Sequence, residues 1–293
     1  MKDLTVIILN YNTKDLLHTC LESIFKNKWK TDLEVWVVDN ASTDDSVEMV
    51  KKDFPKVTVL QSNKNLGFAG GNNLALKKIT SRYALLLNSD TTVEQEAFDK
   101  LVNFADGDGY DIASCKLLNK DRSIQPNYGD LPYPTAVFFW ISGLDDLPVI
   151  GKFLPSFHKK IINPGKVGWI SGTAMLISKK VLEKIGLLDE DIFMYAEDTD
   201  FCMRAKKAGF KIGWTNLAEI THLGGGSLKD PNYRQWTGEF KGLIYLYQKY
   251  YGGLQSIILR LIFYKFILLR ILIFSVLGKF EISKIYAKVF FTI

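Results

Sequence analysis

No two cysteines in this sequence lie close enough to form a CxxC pair. There are three, Cys20, Cys115 and Cys202. Their odd number and wide spacing exclude a disulfide framework and a cysteine zinc site, and suit a reducing compartment. An export signal is not expected either. Met1-Lys2-Asp3 runs directly into an apolar stretch, residues 4–9, that is too short for one and has the length of a strand. A broad basic face is also missing. The formal net charge is +5, yet residues 254–293 alone carry Arg260, Lys265, Arg270, Lys279, Lys284 and Lys288 against Glu281. Residues 1–253 therefore hold acids and bases in equal number. That balance excludes a nucleic-acid partner, which would need a basic face. The charge excess sits wholly in an apolar tail, which suits an anionic membrane surface. No internal repeat or low-complexity tract is present. A chain of 293 residues buries one large core, or one core with a small appendage.

What is present alternates. Residues 5–9 read as a buried strand and residues 15–25 as a helix, with Leu16, Leu17, Cys20, Leu21, Ile24 and Phe25 at helical spacing. Residues 34–38 form a second strand. A helix to about Lys52 is expected to be capped by Ser42 or Thr43, with Ser42-x-x-Asp45 resembling a capping box. Residues 57–61 form a third strand, a glycine-rich segment leads into a helix over residues 73–79, and residues 83–87 form a fourth strand. Strands alternating with helices predict an α/β fold with a mostly parallel sheet covered on both faces. Ligands on such sheets gather at the carboxyl ends of the strands. Asn10, Asp39, Asn65 and Asp90 fall at or just beyond those ends.

Residues 119–166 interrupt the pattern with six of the eight prolines and many aromatics. They read either as a surface excursion with its own small core or as an acceptor wall or membrane-facing lip. The tail does not decide between spanning and lying on a membrane. Residues 254–277 contain seventeen Leu, Ile, Phe or Val, a gain of about 8 kcal/mol on insertion. Arg260, Lys265 and Arg270 each oppose it by up to about 3 kcal/mol. They are five residues apart and share no helix face. In residues 279–290, Glu281, Lys284 and Lys288 line one side and Ile282, Ile285, Tyr286, Val289 and Phe290 the other, as in a helix lying in a membrane interface. A contact between copies or a buried helical hairpin fits the same pattern.

Acids carry the chemistry. Glu197-Asp198-Thr199-Asp200 stands beside Phe193, Met194 and Tyr195 and ahead of Arg204. Acids in the first helical turn favour the dipole, and Asp200 with Arg204 is an i,i+4 pair. Those effects account for two of the three acids, and aromatic surroundings that include Trp169 would raise a remaining carboxyl towards a general base. Asn88-Ser89-Asp90 ends the fourth strand, where the Asp90 carboxylate can meet Mg²⁺ or Mn²⁺. Asp39 can accept from a pyrimidine N3–H or a ribose hydroxyl. Gly67, Gly70 and Gly71 let backbone approach a ligand at a helix N-terminus, although neither GxGxxG nor GxxxxGK[ST] is present. His222 precedes Leu223-Gly224-Gly225-Gly226-Ser227.

Together and in this order, these segments resemble the family 2 glycosyltransferases, inverting enzymes of the GT-A fold, over residues 4–226. The resemblance rests on Val6-Ile7-Ile8-Leu9-Asn10-Tyr11-Asn12, residues 38–44 and 65–73, Trp169-Ile170-Ser171-Gly172 and residues 195–204, and is strongest to the rhamnosyltransferase-like branch. It implies that Asp39 reads the pyrimidine of a nucleotide-sugar donor, with Asn10 and the segment from Asn65 to Gly71 lining the nucleotide. Asp90 and His222 would hold metal, Asp198 would act as base, Glu197 would touch a sugar, and Trp169 and Gly172 would lie beside it. The family's DxD is Asn88-x-Asp90 here, one carboxylate short. Residues 1–226 would be the catalytic domain and 227–293 a helical, membrane-associating segment, with a lipid-linked saccharide acceptor at the inner face of the cell membrane and a homo-oligomer possible through the last helices. Two rivals share the fold. A nucleotidyltransferase would need a glycine- and arginine-rich loop after the first strand, where Asn10-Tyr11-Asn12-Thr13-Lys14-Asp15 stands instead. A non-catalytic membrane partner would have no need of Asp90, Asp198 and His222.

Overall fold

The computed structural model describes residues 1–159, 164–224 and 231–293. The run Gly225-Gly226-Ser227 and the expected boundary at 226/227 lie outside the described residues. In chain order the elements begin with β1 (Leu4–Asn10), α1 (Lys14–Phe25), β2 (Leu33–Asp39), α2 (Ser46–Asp53), β3 (Thr58–Gln61), α3 (Gly67–Leu76) and β4 (Tyr83–Asn88). There follow β5 (Thr91–Val93), α4 (Ala97–Asp108), β6 (Ile112–Leu118), β7 (Ile124–Gln125), β8 (Tyr128–Gly129) and α5 (Pro134–Ser142). The second half holds β9 (Gly165–Lys166), β10 (Trp169–Ile170), β11 (Ala174–Ser178), α6 (Lys179–Ile185), α7 (Glu197–Lys207), β12 (Ile212–His222), α8 (Pro231–Tyr250), α9 (Gly253–Val276) and α10 (Phe280–Phe290).

Two compact units contain these elements. The first takes residues 1–131, 157–193 and the chain from Glu197 through β12; the second takes residues 132–156, 194–196 and the last three helices. The described residues of the proline- and aromatic-rich excursion are thus divided between both units.

In the first unit the sheet runs β3-β2-β1-β4-β11-β6-β12-β5. The first four strands are mutually parallel, as the alternation predicts. β1 is a continuous apolar run, with Leu4, Val6, Ile7 and Ile8 fully buried, which a strand covered on both faces requires. β11 then enters antiparallel between β4 and β6, so the sheet is mixed beyond β4. Leu17, Cys20, Leu21 and Ile24 of α1 meet the sheet on one helix face. All three cysteines are buried, and desolvation pushes their thiols up to about 12.

Two local expectations fail for tertiary reasons. α2 starts at Ser46, after Asp45 at φ 57°, and Ser42 does not cap it. The Ser42 hydroxyl instead accepts from Asn10 Nδ2 and from the Asn12 N–H, both at 3.0 Å. α3 starts at Gly67, six residues earlier than expected, so the glycines lie inside the helix. A Cβ on Gly71 would stand 2.4 Å from Leu9 Cδ1, and one on Gly67, at φ +73°, 2.2 Å from the Phe193 carbonyl oxygen. Close packing of helix on strand overrides the low helix propensity of glycine here.

The second unit is helical. Trp236 of α8 stacks on Tyr286 of α10 at 4.3 Å, and Phe240 of α8 meets Phe263 of α9 at 4.7 Å. Gly278, at φ +70°, turns the chain from α9 into α10. Glu281, Lys284 and Lys288 are exposed and Tyr286 and Val289 buried, so α10 is amphipathic as read. Its apolar side, however, packs on α8 and α9 and is not left for a membrane interface. Arg270 turns inward: its guanidinium donates to the Ile141 carbonyl at 2.9 Å, in the last turn of α5, and lies 5.5 Å from the Tyr286 ring centre. That accounts for Arg270 lying on a different face from Lys265, which is exposed. No helix among the described residues is long and apolar enough to cross a membrane; every 18-residue stretch of α9 contains Arg260, Lys265 and Arg270.

Candidate active site

The carboxyl ends of β1, β2 and β4 lie side by side, with Asn10 opposite Asp39 and Leu9 opposite Asn88. Asn10 is fully buried and donates to Asp39 Oδ1 at 3.1 Å, while the Ser42 N–H reaches Asp39 Oδ2 at 3.1 Å. The Asp39 carboxylate is thereby fixed in orientation. Asn40 was not singled out from the sequence, yet its side chain holds the next segment. Its Nδ2 donates to Asn65 Oδ1 and to the Gly67 carbonyl, each at 3.0 Å, and its Oδ1 accepts the Leu66 N–H at 2.9 Å. Gly70 lies against Leu66 of its own segment and Gly71 against Leu9, so Gly71 sets how near the start of α3 comes to β1.

That start reaches the acidic segment. The Phe68 N–H donates to the Phe193 carbonyl at 2.8 Å. A Cβ on Gly172 would stand 2.8 Å from Phe68 Cζ, and the Gly172 N–H donates to Asp198 Oδ2 at 3.0 Å. Asp198 Oδ1 accepts the Thr199 N–H at 2.6 Å. Tyr195 and Ala196, at φ 69° and 77°, precede α7, a pair of left-handed residues that costs of order 1 kcal/mol each. Asp200 is fully buried and accepts from Arg204 Nε at 2.7 Å, and Arg204 also caps the Ile185 and Leu187 carbonyls. That acid holds the fold, as its i,i+4 spacing predicts. Trp169 is buried, gives its indole N–H to the Phe157 carbonyl at 2.7 Å and stacks on Phe157 at 5.1 Å.

From Asp198 a path leads through Gly172, Thr173 and Asn88 to His222, beside Asp90. Next to Gly172, the Thr173 carbonyl accepts the Asn88 N–H at 3.0 Å. Asn88 Nδ2 lies 3.4 Å from His222 Nε2, and that nitrogen is 3.2 Å from Asp90 Oδ1. β5 and β12 pair Thr91 with His222, which fixes the approach. His222 Nδ1 faces Gln125 Oε1 at 2.7 Å. With Nδ1–H donated to Gln125, Nε2 carries a lone pair 3.2 Å from a carboxylate oxygen. Two electron-rich atoms so disposed fit a cation between them, and an orienting acceptor behind the imidazole is what such a ligand needs. Among the described residues no third His, Cys, Asp or Glu joins the pair. The donor set fits a hard divalent ion that keeps phosphate and water in its shell. Gln125 escaped the sequence reading because a single amide carries no pattern.

Glu197 is 4% exposed, and its Oε2 has no hydrogen-bond partner among the described residues. Burial, then the Asp198 charge, pushes its carboxyl well above the ordinary range. Burial also raises Asp198, against the pull of the Gly172 and Thr199 donors and the charge of His158, whose ring edge meets Trp169 at 5.1 Å. Folded Glu197 thus binds its proton more tightly than the unfolded chain does. Its contribution is most favourable in acid and is lost as pH rises from the ordinary glutamate range through the raised value. Glu197→Gln is expected to raise Tm by a few degrees at pH 8 and to leave it unchanged near pH 4. Thermal melts at the two pH values check this; an equal shift at both would show that charge is not the cause.

Known proteins resemble this chain in sequence and in fold. A low-salt glycan biosynthesis hexosyltransferase of Haloferax volcanii is 29% identical over 226 residues, covering 76% of this chain and 67% of that one. An N-acetylglucosaminyl-diphospho-decaprenol L-rhamnosyltransferase of Mycobacterium tuberculosis is 25% identical over 210 residues, 65% of this chain and 66% of that one. This chain therefore spans about two thirds of the length of each. A mannosyltransferase from Pyrobaculum calidifontis, solved with GDP-Man and Mn²⁺, superposes with a TM-score of 0.58 at 17% identity, over 85% of this chain and 66% of that one. The fold is of the GT-A type that the resemblance implied. The model of the family described as "Glycosyl transferase family 2" matches residues 5–186, well over half of the chain, and to that family this protein belongs.

Proposed function

We propose that this chain moves a sugar from a nucleotide-diphosphate donor to an acceptor hydroxyl by a single inverting displacement, with Asp198 as the general base. One observation carries the reading. The Asp198 carboxylate is held by two backbone N–H groups at the head of α7 and is joined through Gly172, Thr173 and Asn88 to the Asp90–His222 pair. Asp198 takes the acceptor proton as that oxygen attacks the anomeric carbon, and its raised affinity for protons suits the task. Glu197 stands beside it against the sugar. Asp90 and His222 would hold Mg²⁺ or Mn²⁺, which when bound supplies charge stabilisation to the leaving diphosphate. Asp39, steadied by Asn10, accepts from the base or ribose. Asn65, Gly67 and Gly70 present the N-terminus of α3 to the nucleotide, at a height set by Gly71 against Leu9.

A pyrimidine donor, thymidine-diphosphate rhamnose or a uridine-diphosphate hexose, follows from Asp39, since one carboxylate serves either base. A lipid-linked saccharide at the cytoplasmic face of a membrane, in cell-surface polysaccharide synthesis, suits a tail that carries the whole charge excess. Thermal melts with thymidine-, uridine- and guanosine-diphosphate sugars, with and without Mn²⁺, test the reading. A pyrimidine donor near a hundred times its Kd should stabilise by about 2.7 kcal/mol, a rise of several degrees in Tm. The absence of any nucleotide-sugar effect would defeat the proposal, as would a product that retains the anomeric configuration.

A further inference from the structure

We infer that the outward face of α9 is a docking surface for an anionic lipid bilayer, on which the helix lies flat. Leu254, Ile257, Leu261, Leu268, Leu272 and Val276 are 68, 59, 63, 47, 64 and 87% exposed. They recur three, four or seven residues apart, along one side of the helix. The other side is already used: Ser256, Leu259, Phe263 and Ile267 are buried within the second unit. At 1.5 Å per residue the exposed stripe is about 33 Å long. Single exposed leucines are ordinary, but a mainly apolar ribbon of this length marks an interaction site.

Charge decides the occupant. Lys265 is exposed within the stripe, and Lys279, Lys284 and Lys288 are exposed on the chain that follows. The sole acid of residues 254–293, Glu281, already pairs with Lys284 at 2.9 Å. A second copy pressed against this stripe would enclose Lys265 with no carboxylate from the same segment to meet it, which is costly. Anionic phospholipid supplies phosphate at that depth, and lysine and arginine stems extend along apolar surface to reach it. Because protein covers the inner side of α9 and three cations interrupt it, the helix lies in the interface rather than crossing it. The proposal stands apart from the transfer reaction: losing lipid binding would leave the catalytic assignment untouched.

The test is flotation of the full chain with vesicles of phosphatidylglycerol and phosphatidylcholine, against phosphatidylcholine alone. The wild type should float with the anionic vesicles and be released by salt. Lys265→Glu should weaken partitioning by roughly fivefold or more, as expected for about 1 kcal/mol per cation near such a surface. The double variant Leu261→Glu/Leu272→Glu should weaken it more than tenfold while its melting curve stays that of the wild type. Leu217→Glu, at a site 65% exposed in β12, should bind as the wild type does. Unchanged flotation of the double variant overturns the proposal. So does a wild type that ignores both vesicles but sediments as a dimer that the double variant splits, since a second copy would then own the face.

Discussion

Asp198→Asn is expected to lower the rate of sugar transfer by about 10²–10⁴-fold, the usual worth of a positioned general base, while donor affinity stays near that of the wild type. The substitution is nearly isosteric. One amide oxygen still accepts from the Thr199 or Gly172 N–H, so the head of α7 should keep its place. What disappears is the ability to take a proton. The wild-type profile should support this. Burial raises the Asp198 carboxyl, so the acid limb of kcat/KM should lie above the ordinary aspartate range, with activity rising as the group deprotonates. Because Glu197 and Asp198 are adjacent and both raised, that limb belongs to the pair. Asp198 ionises first, since its charge helps to raise Glu197, so Glu197→Gln exchanges one neutral neighbour for another and should leave the limb close to its wild-type position. Initial rates across pH, with donor binding followed separately, decide the matter. Near-normal turnover by Asp198→Asn would remove it from the chemistry.

Asp90→Ala is expected to abolish stimulation by Mg²⁺ or Mn²⁺ and to cost about 10²-fold or more in transfer, since a bound metal supplies several kcal/mol of charge stabilisation. The expectation is sharp because Asn88 stands where the family pattern has its first acid. Asp90 then provides the single carboxylate of the pair, 3.2 Å from His222 Nε2. His222→Ala should act in the same direction. Gln125→Leu removes only the acceptor behind the imidazole, at 2.7 Å from Nδ1, and should weaken metal affinity by about 10–100-fold. Metal titrations of rate, and of the metal-dependent part of donor stabilisation in thermal melts, separate the three. A titration of Asp90→Ala that superimposes on the wild type would deny the metal role.

Much of the first unit was legible because the signal and the physics coincide. β1 and β4 are unbroken apolar runs, and only strands covered on both sides of a sheet need such runs. The i,i+4 spacing of Asp200 and Arg204 announced their ion pair. Other features were hidden by tertiary demands. Glycine and asparagine argued for a loop over residues 65–71, but Leu9 and Phe193 needed a helix without side chains there. Ser42 had the chemistry of a cap and was claimed by Asn10 and Asn12 across the fold. Asn40, Gln125 and His158 act through contacts with residues distant in the chain, which no local pattern records. In the tail, periodicity identified the amphipathic side of α10 correctly. It could not say that protein would cover it while α9 kept an apolar side bare.

The depth of Cys20, Cys115 and Cys202, with every thiol held protonated, makes the folded protein a blank background for maleimide chemistry. A single cysteine introduced at an exposed position such as Leu272 can carry an environment-sensitive dye without first deleting native residues. Fluorescence from that one label would follow the helix surface in real time, and the unmodified chain would serve as its own dark control.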